Sequence, residues 1–223
     1  MKLKDLDWGG FVMNFLAVVL GIGITFGGEE IISSIHQKNE ARENLKLLAE
    51  ELHENMKNIH IADSVMKMDS RVGDFMERYE GKYQSAPKDS MQVYTSALFM
   101  MHEISPVTDV FELLKSANVF IEIDDKDLSV DIMRAYDSLK DLLTLFNYYN
   151  KDKQKYVEGC NDEDVQKLVA TGKNDPASIM GVVSSKPSGR MWFHELQASG
   201  AAYDISETEE KINKVLKQIE VYD

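Results

Sequence analysis

Glu50 and His53 have the spacing of metal ligands on a helix. They form a Glu-x-x-His pair, which is half of the ligand set of a carboxylate-bridged di-metal site in a helical bundle. The sequence contains no second Glu-x-x-His pair, so the other half of such a site is missing. We therefore expect Glu50 and His53, and likewise the neighbours His60 and Asp63, to lie on a solvated helix surface. A metal-dependent enzyme built on Glu50 and His53 stays open as an alternative.

Ser64 and Lys67 reproduce the Ser-x-x-Lys spacing of the penicillin-recognising enzymes. Those enzymes also need a Ser-Asp-Asn and a Lys-Thr-Gly motif, and neither occurs in the sequence. A Gly-rich phosphate loop and a Gly-x-Ser-x-Gly motif are absent as well. Cys160 is the only cysteine, which excludes an intrachain disulfide and a zinc site built from cysteines. The sequence thus predicts a protein that is not an enzyme, with no catalytic, cofactor-binding or metal-binding residues.

One group of aromatic and polar side chains near the C-terminus has the composition of a binding pocket. It consists of Arg190, Trp192, His194 and Tyr203. The alternative is ordinary core packing, because buried aromatic residues commonly keep a polar tip toward solvent. We take these four residues as the candidate pocket. The Arg190–His194 region is also the second place where an enzyme could have its site.

An uncharged segment near the N-terminus determines whether part of the chain lies in a lipid bilayer or in water. Residues 8–28 are 21 residues without Asp, Glu, Lys, Arg or His. At about 1.5 Å per residue, a helix of this length reaches about 31 Å, the thickness of the hydrocarbon core of a bilayer. The segment predicts one transmembrane helix at 8–28 after a short tail at 1–7, with the lipid bilayer as its partner. A cleaved signal peptide and a buried helix of a soluble domain are the alternatives.

Small and polar residues recur along one face of this predicted helix. They are spaced by three or four positions: Gly10, Asn14, Ala17, Gly21, Thr25 and Gly28. Small residues let two membrane helices approach closely, and an asparagine in hydrocarbon needs a polar partner. We therefore expect this face to join copies of the chain in a homo-oligomer, or to bind another membrane protein. The alternative is that glycine is simply common in membrane helices.

The net charge limits the other partners. The chain carries a formal net charge of −13. Lys2 and Lys4 balance Asp5 and Asp7, so the whole net charge belongs to residues 29–223. An acidic domain is repelled by phosphate backbones, which argues against nucleic acid as a partner.

Basic residues flank both ends of the apolar segment in similar number. Lys2 and Lys4 precede it, while Lys38, Arg42 and Lys46 follow it within about 20 residues. The positive-inside rule therefore leaves the orientation nearly balanced. Because a short N-terminal tail can stay inside while the following domain is exported, we expect a bacterial inner-membrane protein with a periplasmic C-terminal domain.

Residues 29–80 have the pattern of a long helix that leaves the membrane. Apolar positions follow alternating steps of three and four, the a/d pattern of a helix–helix seam. The seam contains Leu45, Leu48, Leu52, Asn55, Ile59, Ala62 and Met66. Three heptads are too few to separate a coiled coil between chains from a helix packed in its own bundle, so both remain open.

Residues 81–223 stay helical in pattern, with turns marked by proline and glycine. Ser105-Pro106 predicts the start of a helix at Val107, and residues 119–123 are expected to cross the bundle as an apolar loop. Asp125 is a candidate cap for a long helix, and residues 206–209 form a capping box that opens the terminal helix. The predicted fold class is all-α, with one N-terminal transmembrane helix that continues into a long helix and an irregular helical bundle.

Two segments resemble an uncharacterised family of bacterial single-pass membrane proteins. The first runs from the anchor through residues 39–42 and 45–55, a helix in which leucine and acidic residues alternate before Asn55. The second comprises residues 111–118 and the tyrosine-rich helix that follows them. The sequence departs from the family pattern at Ala117, where a glycine is expected, and it lacks the tryptophan usual just after the anchor. The resemblance implies the membrane topology and no activity.

These observations predict a non-enzymatic, membrane-anchored scaffold or accessory subunit. The anchor would hold copies or a partner in the membrane, and the acidic helical domain would face the adjoining aqueous compartment. The first alternative is an anchored ligand sensor that signals through a separate partner, because the chain contains no output module of its own. A metal-dependent enzyme is the second alternative.

Overall fold

The computed structural model describes residues 8–160 and 163–222, with side chains for 39–121, 123–159 and 163–222. Regular structure in these residues is helical and no strand occurs among them, which confirms the all-α class. A short 3-10 turn at Tyr83–Ser85 follows the first helix. The helices are α1 (Trp8–Arg78), α2 (Lys88–Phe99), α3 (Asp109–Ser116), α4 (Val119–Glu122), α5 (Lys126–Cys160), α6 (Glu163–Ala170), α7 (Pro176–Ser185), α8 (Pro187–Ala202) and α9 (Ser206–Tyr222).

The central element is α1, a helix of 71 residues that runs without interruption. No proline occurs between its ends, and it stops before Gly81, whose φ of +71° is a conformation that glycine adopts at little cost. The seam residues pack in the core of the same chain: Leu45, Leu48, Leu52, Asn55, Ile59, Ala62 and Met66 are each at most 2% exposed. Burial of this stripe against the chain's own helices is the arrangement of a bundle.

The apolar side chains form two clusters that share α1. The first cluster packs residues 45–66 of α1 against α3, α4, α5 and α9. The second cluster packs the C-terminal part of α1 against α2, α7 and α8, with Trp192 fully buried in it. Tyr149 on α5 contacts both clusters. The junction of the two clusters therefore lies where α5 passes α1 and α8.

Glycines set the distance between α1 and α8. A Cβ added at Gly73 of α1 would lie 2.6 Å from the carbonyl oxygen of Phe193, and one at Gly200 of α8 would collide with the carbonyl oxygen of Met66. Real Cβ atoms do not approach other atoms this closely, so the two backbones cross at a distance that only glycine permits. This crossing sets the position of the α8 surface that faces α5.

Two local expectations are wrong, and one is confirmed. The helix expected to begin at Val107 begins at Asp109, because an α1 side chain binds the backbone of Val107. The apolar loop expected at residues 119–123 forms the single helical turn α4. The cap at Asp125 is confirmed, since its Oδ1 accepts hydrogen bonds from the amides of Asp127 and Leu128, both at 3.0 Å.

No helix in the described part of the chain is both long and apolar enough to cross a membrane. The side chains of the predicted anchor at 8–28 lie outside the described residues, as does the tail at 1–7. The same holds for the predicted association face, which comprises Gly10, Asn14, Ala17, Gly21, Thr25 and Gly28.

Candidate functional site

The residue pairs with catalytic or metal-ligand spacing lie on the surface. Glu50 and His53 are both exposed, and among the described residues no group of three or more His, Cys, Asp or Glu could hold a metal ion. Lys67 pairs with Asp63 at 2.6 Å rather than with Ser64. The Ser-x-x-Lys spacing thus carries an ordinary i,i+4 ion pair on a helix surface.

The four residues of the candidate pocket divide between two places. Trp192 and Tyr203 are buried and line the same cavity. Arg190 and His194 are exposed and line a separate shallow depression. The reason is helical geometry: positions 190 and 194 lie about 200° from position 192 around α8.

A buried ion pair joins α1 to α5 beside this cavity. Lys153 donates from Nζ to both carboxylate oxygens of Asp69 at 2.8 Å, and to the carbonyl oxygen of Ala97 on α2 at 3.2 Å. The two side chains are 1% and 2% exposed. Burial lowers the pKa of Lys153, and the Asp69 carboxylate opposes that change. Each charge is compensated by the other, so the pair ties three helices together.

Tyr149 completes this arrangement. Its hydroxyl donates to Oδ2 of Asp69 at 2.5 Å. Burial raises the pKa of Tyr149, and the charges of Asp69 and Glu195 raise it further. The hydroxyl therefore stays protonated at neutral pH and serves as a donor that holds the carboxylate, which is a positioning role rather than acid–base chemistry.

The cavity itself lies between α1, α5 and α8, and we call it the aromatic cavity. Its volume is about 240 Å³, somewhat below the range of pockets for drug-sized ligands. Five aromatic side chains line it: Tyr148, Tyr149, Tyr156, Trp192 and Tyr203. The rings of Tyr156 and Trp192 are stacked, with centroids 5.9 Å apart and planes 7° apart.

Two polar groups of the aromatic cavity's lining are buried without a partner. The indole N–H of Trp192 and the hydroxyl of Tyr203 make no hydrogen bond to any described part of the chain. Trp192 is fully buried and Tyr203 is 7% exposed. Both atoms are inaccessible to water, so they lie within the packing behind the cavity surface rather than on it. Burial raises the pKa of Tyr203, which keeps its hydroxyl neutral.

The charged groups that line the aromatic cavity differ in whether an opposite charge lies beside them. Lys153 is neutralised by Asp69, and Asp152 pairs with Lys155 on the surface at 2.6 Å. Glu195 accepts a hydrogen bond from the hydroxyl of Ser199 at 2.9 Å, and the described residues place no cation beside it. Glu195 is exposed to solvent, so water and salt screen its charge.

A second, wider groove lies on the other side of α1, between α1 and α2. Its volume is about 800 Å³, and its lining includes Ile61, Val93 and Met100, each about half exposed. Asp69 lines this groove, while its partners Lys153 and Tyr149 line the aromatic cavity. The buried ion pair thus forms part of the wall between the two.

Sequence reasoning missed a second polar anchor on α1. Glu51 is 5% exposed and accepts hydrogen bonds from the amides of Val110 at 2.6 Å and Phe111 at 3.1 Å, and from the hydroxyl of Tyr136 at 2.5 Å. Its carboxylate therefore caps the N-terminus of α3 from another helix. One turn further on, Asn55 binds both the amide and the carbonyl of Val107, at 2.8 and 2.7 Å. The sequence feature that could have indicated this anchor is Asn55, a polar residue within an apolar seam.

Comparisons with protein-family models, curated proteins and solved structures give no match to this chain.

Proposed function

We propose that this chain is a single-pass membrane protein that acts, without enzymatic activity, as an anchored scaffold or accessory subunit. Residues 8–28 would span a bacterial inner membrane, and the acidic domain would face the periplasm. The observation that carries the proposal is the continuity of α1, which runs from Trp8 through the uncharged segment to Arg78 in the domain core. A helix that is both the anchor and the centre of the domain would hold that domain at a fixed place above the bilayer.

Alkaline carbonate extraction of membranes that contain the full chain tests the anchor. The wild-type protein is expected in the membrane pellet, because an apolar helix of this length does not leave the bilayer at high pH. A Leu20→Arg/Ile22→Arg variant is expected in the supernatant, since each arginine at the centre of a span costs about 2.5–3.5 kcal/mol. Recovery of the wild-type protein in the supernatant would contradict the proposal that residues 8–28 anchor the chain in a membrane.

Assembly through the anchor is tested by disulfide crosslinking in intact membranes. A cysteine at Gly21, in a Cys160→Ser background, lies on the small-residue face, and one at Val19 lies off it. Dimers with Gly21→Cys but not with Val19→Cys would support self-association through this face. Equal or absent crosslinking at both positions would leave a simple tether or a heteromeric partner.

A ligand sensor is the second candidate function, and the aromatic cavity favours it. The cavity lies against α1, and its wall on α8 crosses α1 at glycine distance. A molecule bound there would contact the helix that leads to the anchor. The test is whether a ligand of the cavity changes the yield of Gly21→Cys crosslinks, with Val19→Cys as the control.

A further inference from the structure

We propose that the groove between α1 and α2 is the surface through which the domains of two copies of this chain pair. This inference rests on the proposed function, because it takes residues 8–28 to be an anchor whose small-residue face joins copies. It goes one step beyond that function by naming the partner of the domain, which is the domain of the second copy. The pairing is parallel, since both copies are anchored in one bilayer.

The groove exposes apolar side chains on both of its walls. Ile61 and Met68 line it on α1, and Val93 and Met100 line it on α2 and just after the end of that helix. Ile61, Val93 and Met100 are each about half exposed, so the described part of the chain leaves them uncovered. The two residues on each wall are seven positions apart, which is the spacing at which one helix receives the side chains of another. The groove therefore has the pattern of a surface that packs against helices.

The groove lies on the same side of α1 as the small-residue face of the predicted anchor. Because α1 runs without interruption from Trp8 to Arg78, a face can be followed along it at about 3.6 residues per turn. Thr25 of the small-residue face and Ile61 are about ten turns apart. Gly28 of that face and Ser64 are separated by the same interval, and Ile61 and Ser64 both line the groove. Copies that join through the anchor face would therefore turn their grooves toward each other.

Anchors in one bilayer also fix the relative height and direction of the two domains. The α1 helix of one copy runs parallel to that of the second copy, and equal positions lie at equal height above the membrane. Identical chains related by a two-fold axis meet through the same patch on both. Ile61 and Met68 therefore face the same side chains of the second copy, and their contact removes apolar surface of both copies from water.

The charges favour the groove over other surfaces for contact between copies. With a net charge of −13, two copies repel each other, and a surface that carries little of this charge opposes their approach least. Two carboxylates line the groove, Asp69 and Asp89. Asp69 is paired with the Lys153 ammonium at 2.8 Å, and Asp89 lies in the first turn of α2, where the helix dipole stabilises a negative charge. Both charges are thus compensated within the same chain.

Crosslinking of the full chain in intact membranes tests the pairing. In a Cys160→Ser background, Ser64→Cys places a thiol at an exposed position of the groove. Ser188→Cys places one at an exposed position near the start of α8, outside the groove lining. A short bismaleimide joins the thiols, so that they need not meet in disulfide geometry. We expect crosslinked dimers from Ser64→Cys and none from Ser188→Cys. Equal yields from the two variants, or none from Ser64→Cys, would overturn the proposal.

Ile61→Glu tests whether apolar contact holds the domains together. Ile61 is about half exposed in the single chain, so the change should leave Tm nearly unaltered. In the pair it would bury a carboxylate from each copy, which is unfavourable, and the Ser64→Cys crosslink should be lost. Leu113→Glu is the matched control, because Leu113 is also exposed and lies on α3, outside the groove lining. Loss of the crosslink with both variants, or with neither, would contradict pairing through the groove.

The proposed function and this inference fail in distinguishable ways. Crosslinked dimers from Gly21→Cys without any from Ser64→Cys would leave assembly through the anchor in place and show that the groove does not pair the domains. Crosslinked dimers from Ser64→Cys, in a chain that carbonate extraction releases from the membrane, would support pairing through the groove and contradict the anchor.

Discussion

The Asp69 carboxylate on α1 and the Lys153 ammonium on α5 form an ion pair inside the chain, with Nζ 2.8 Å from both carboxylate oxygens. Tyr149 and the carbonyl of Ala97 complete the hydrogen bonds of the two charges. The pair lies at the junction of the two apolar clusters and separates the aromatic cavity from the α1–α2 groove. Its integrity therefore bears on the shape of both.

Lys153→Met is expected to destabilise the chain strongly. The substitution leaves the Asp69 carboxylate buried without its counter-ion, which typically costs about 3–5 kcal/mol in the free energy of unfolding. Urea denaturation followed by circular dichroism measures this loss. The double variant Asp69→Leu/Lys153→Met should regain much of it, because an apolar pair can replace a buried ion pair.

The matched control for this experiment is Lys155→Met. Lys155 lies two positions further along α5 and pairs with Asp152 on the surface, and we expect no measurable change in the urea midpoint. Equal stabilities of the Lys153 and Lys155 variants would show that the buried pair does not hold the two clusters together.

Sequence patterns indicate that some residues of the Asp69–Lys153 site face inward, but they do not predict which of these residues meet. Lys153 continues the inward-facing stripe of α5, after the buried Leu142 and Phe146 and the half-buried Tyr149, at steps of four, three and four. By residue type, however, it belongs to a run of charged residues that is typical of a solvated helix surface. Its partner Asp69 is 84 positions away, and nothing local to either residue predicts that they meet.

Glu51→Ala is expected to loosen α3. The variant leaves two amides at the start of α3 and the Tyr136 hydroxyl without their acceptor, with an expected loss of about 2–3 kcal/mol in the free energy of unfolding. Hydrogen exchange should also speed up in residues 109–116. Glu50→Ala is the control, because Glu50 is exposed on the same turn. If the two variants exchange at the same rate over α3, the cap from α1 does not stabilise that helix.

Local capping signals predicted the starts of α5 and α9, but not that of α3. Asp125 caps α5 through its own carboxylate. The helix expected after Ser105-Pro106 is delayed because Asn55 binds the backbone of Val107 from α1. The terminal helix begins at Ser206, as the capping box at residues 206–209 predicted, but the bonds of the box are not formed: Asp204 accepts from the amide and the hydroxyl of Ser206 at 2.9 and 2.6 Å, and the amide of Glu209 donates to the carbonyl of Ile205. The contact from Asn55, 52 positions from Val107, is not visible in a window of four residues, whereas the competition from Asp204 is local.

Gly200→Ala is expected to separate α8 from α1. The new Cβ would meet the carbonyl oxygen of Met66 and the side chain of Ser70, and such overpacking typically costs about 1–3 kcal/mol. Gly181→Ala on α7 is the control, because nothing lies within 4 Å of its added Cβ and alanine stabilises a helix interior by about 0.5–1 kcal/mol. Thermal unfolding should therefore shift Tm down for the first variant and up for the second. A rise in Tm for Gly200→Ala would contradict the close crossing.

The hydrogen bonds of Asp131 predict that the free energy of unfolding falls as the pH becomes acid. The Lys214 ammonium donates to Oδ2 of Asp131 from 2.7 Å, and Gln218 donates to the same oxygen from 3.0 Å. These α9 donors hold the pKa of Asp131 below its ordinary value of 3.8, and burial opposes them. Because the folded chain binds this proton less tightly than the unfolded chain, the stabilisation is present above pH 3.8 and is lost as the pH falls through the lower, folded pKa.

Asp131→Asn is expected to remove that part of the acid sensitivity. The variant should be less stable than wild type at neutral pH, because Lys214 loses its carboxylate partner, and the difference should shrink as the pH falls below about 4. Urea unfolding at several pH values between neutral and acid measures the two curves. Asp141→Asn, an exposed position on the same helix, should leave the difference from wild type constant over the same range. A gap between wild type and Asp131→Asn that widens in acid would contradict the lowered pKa, and with it the bond by which α9 is held to α5.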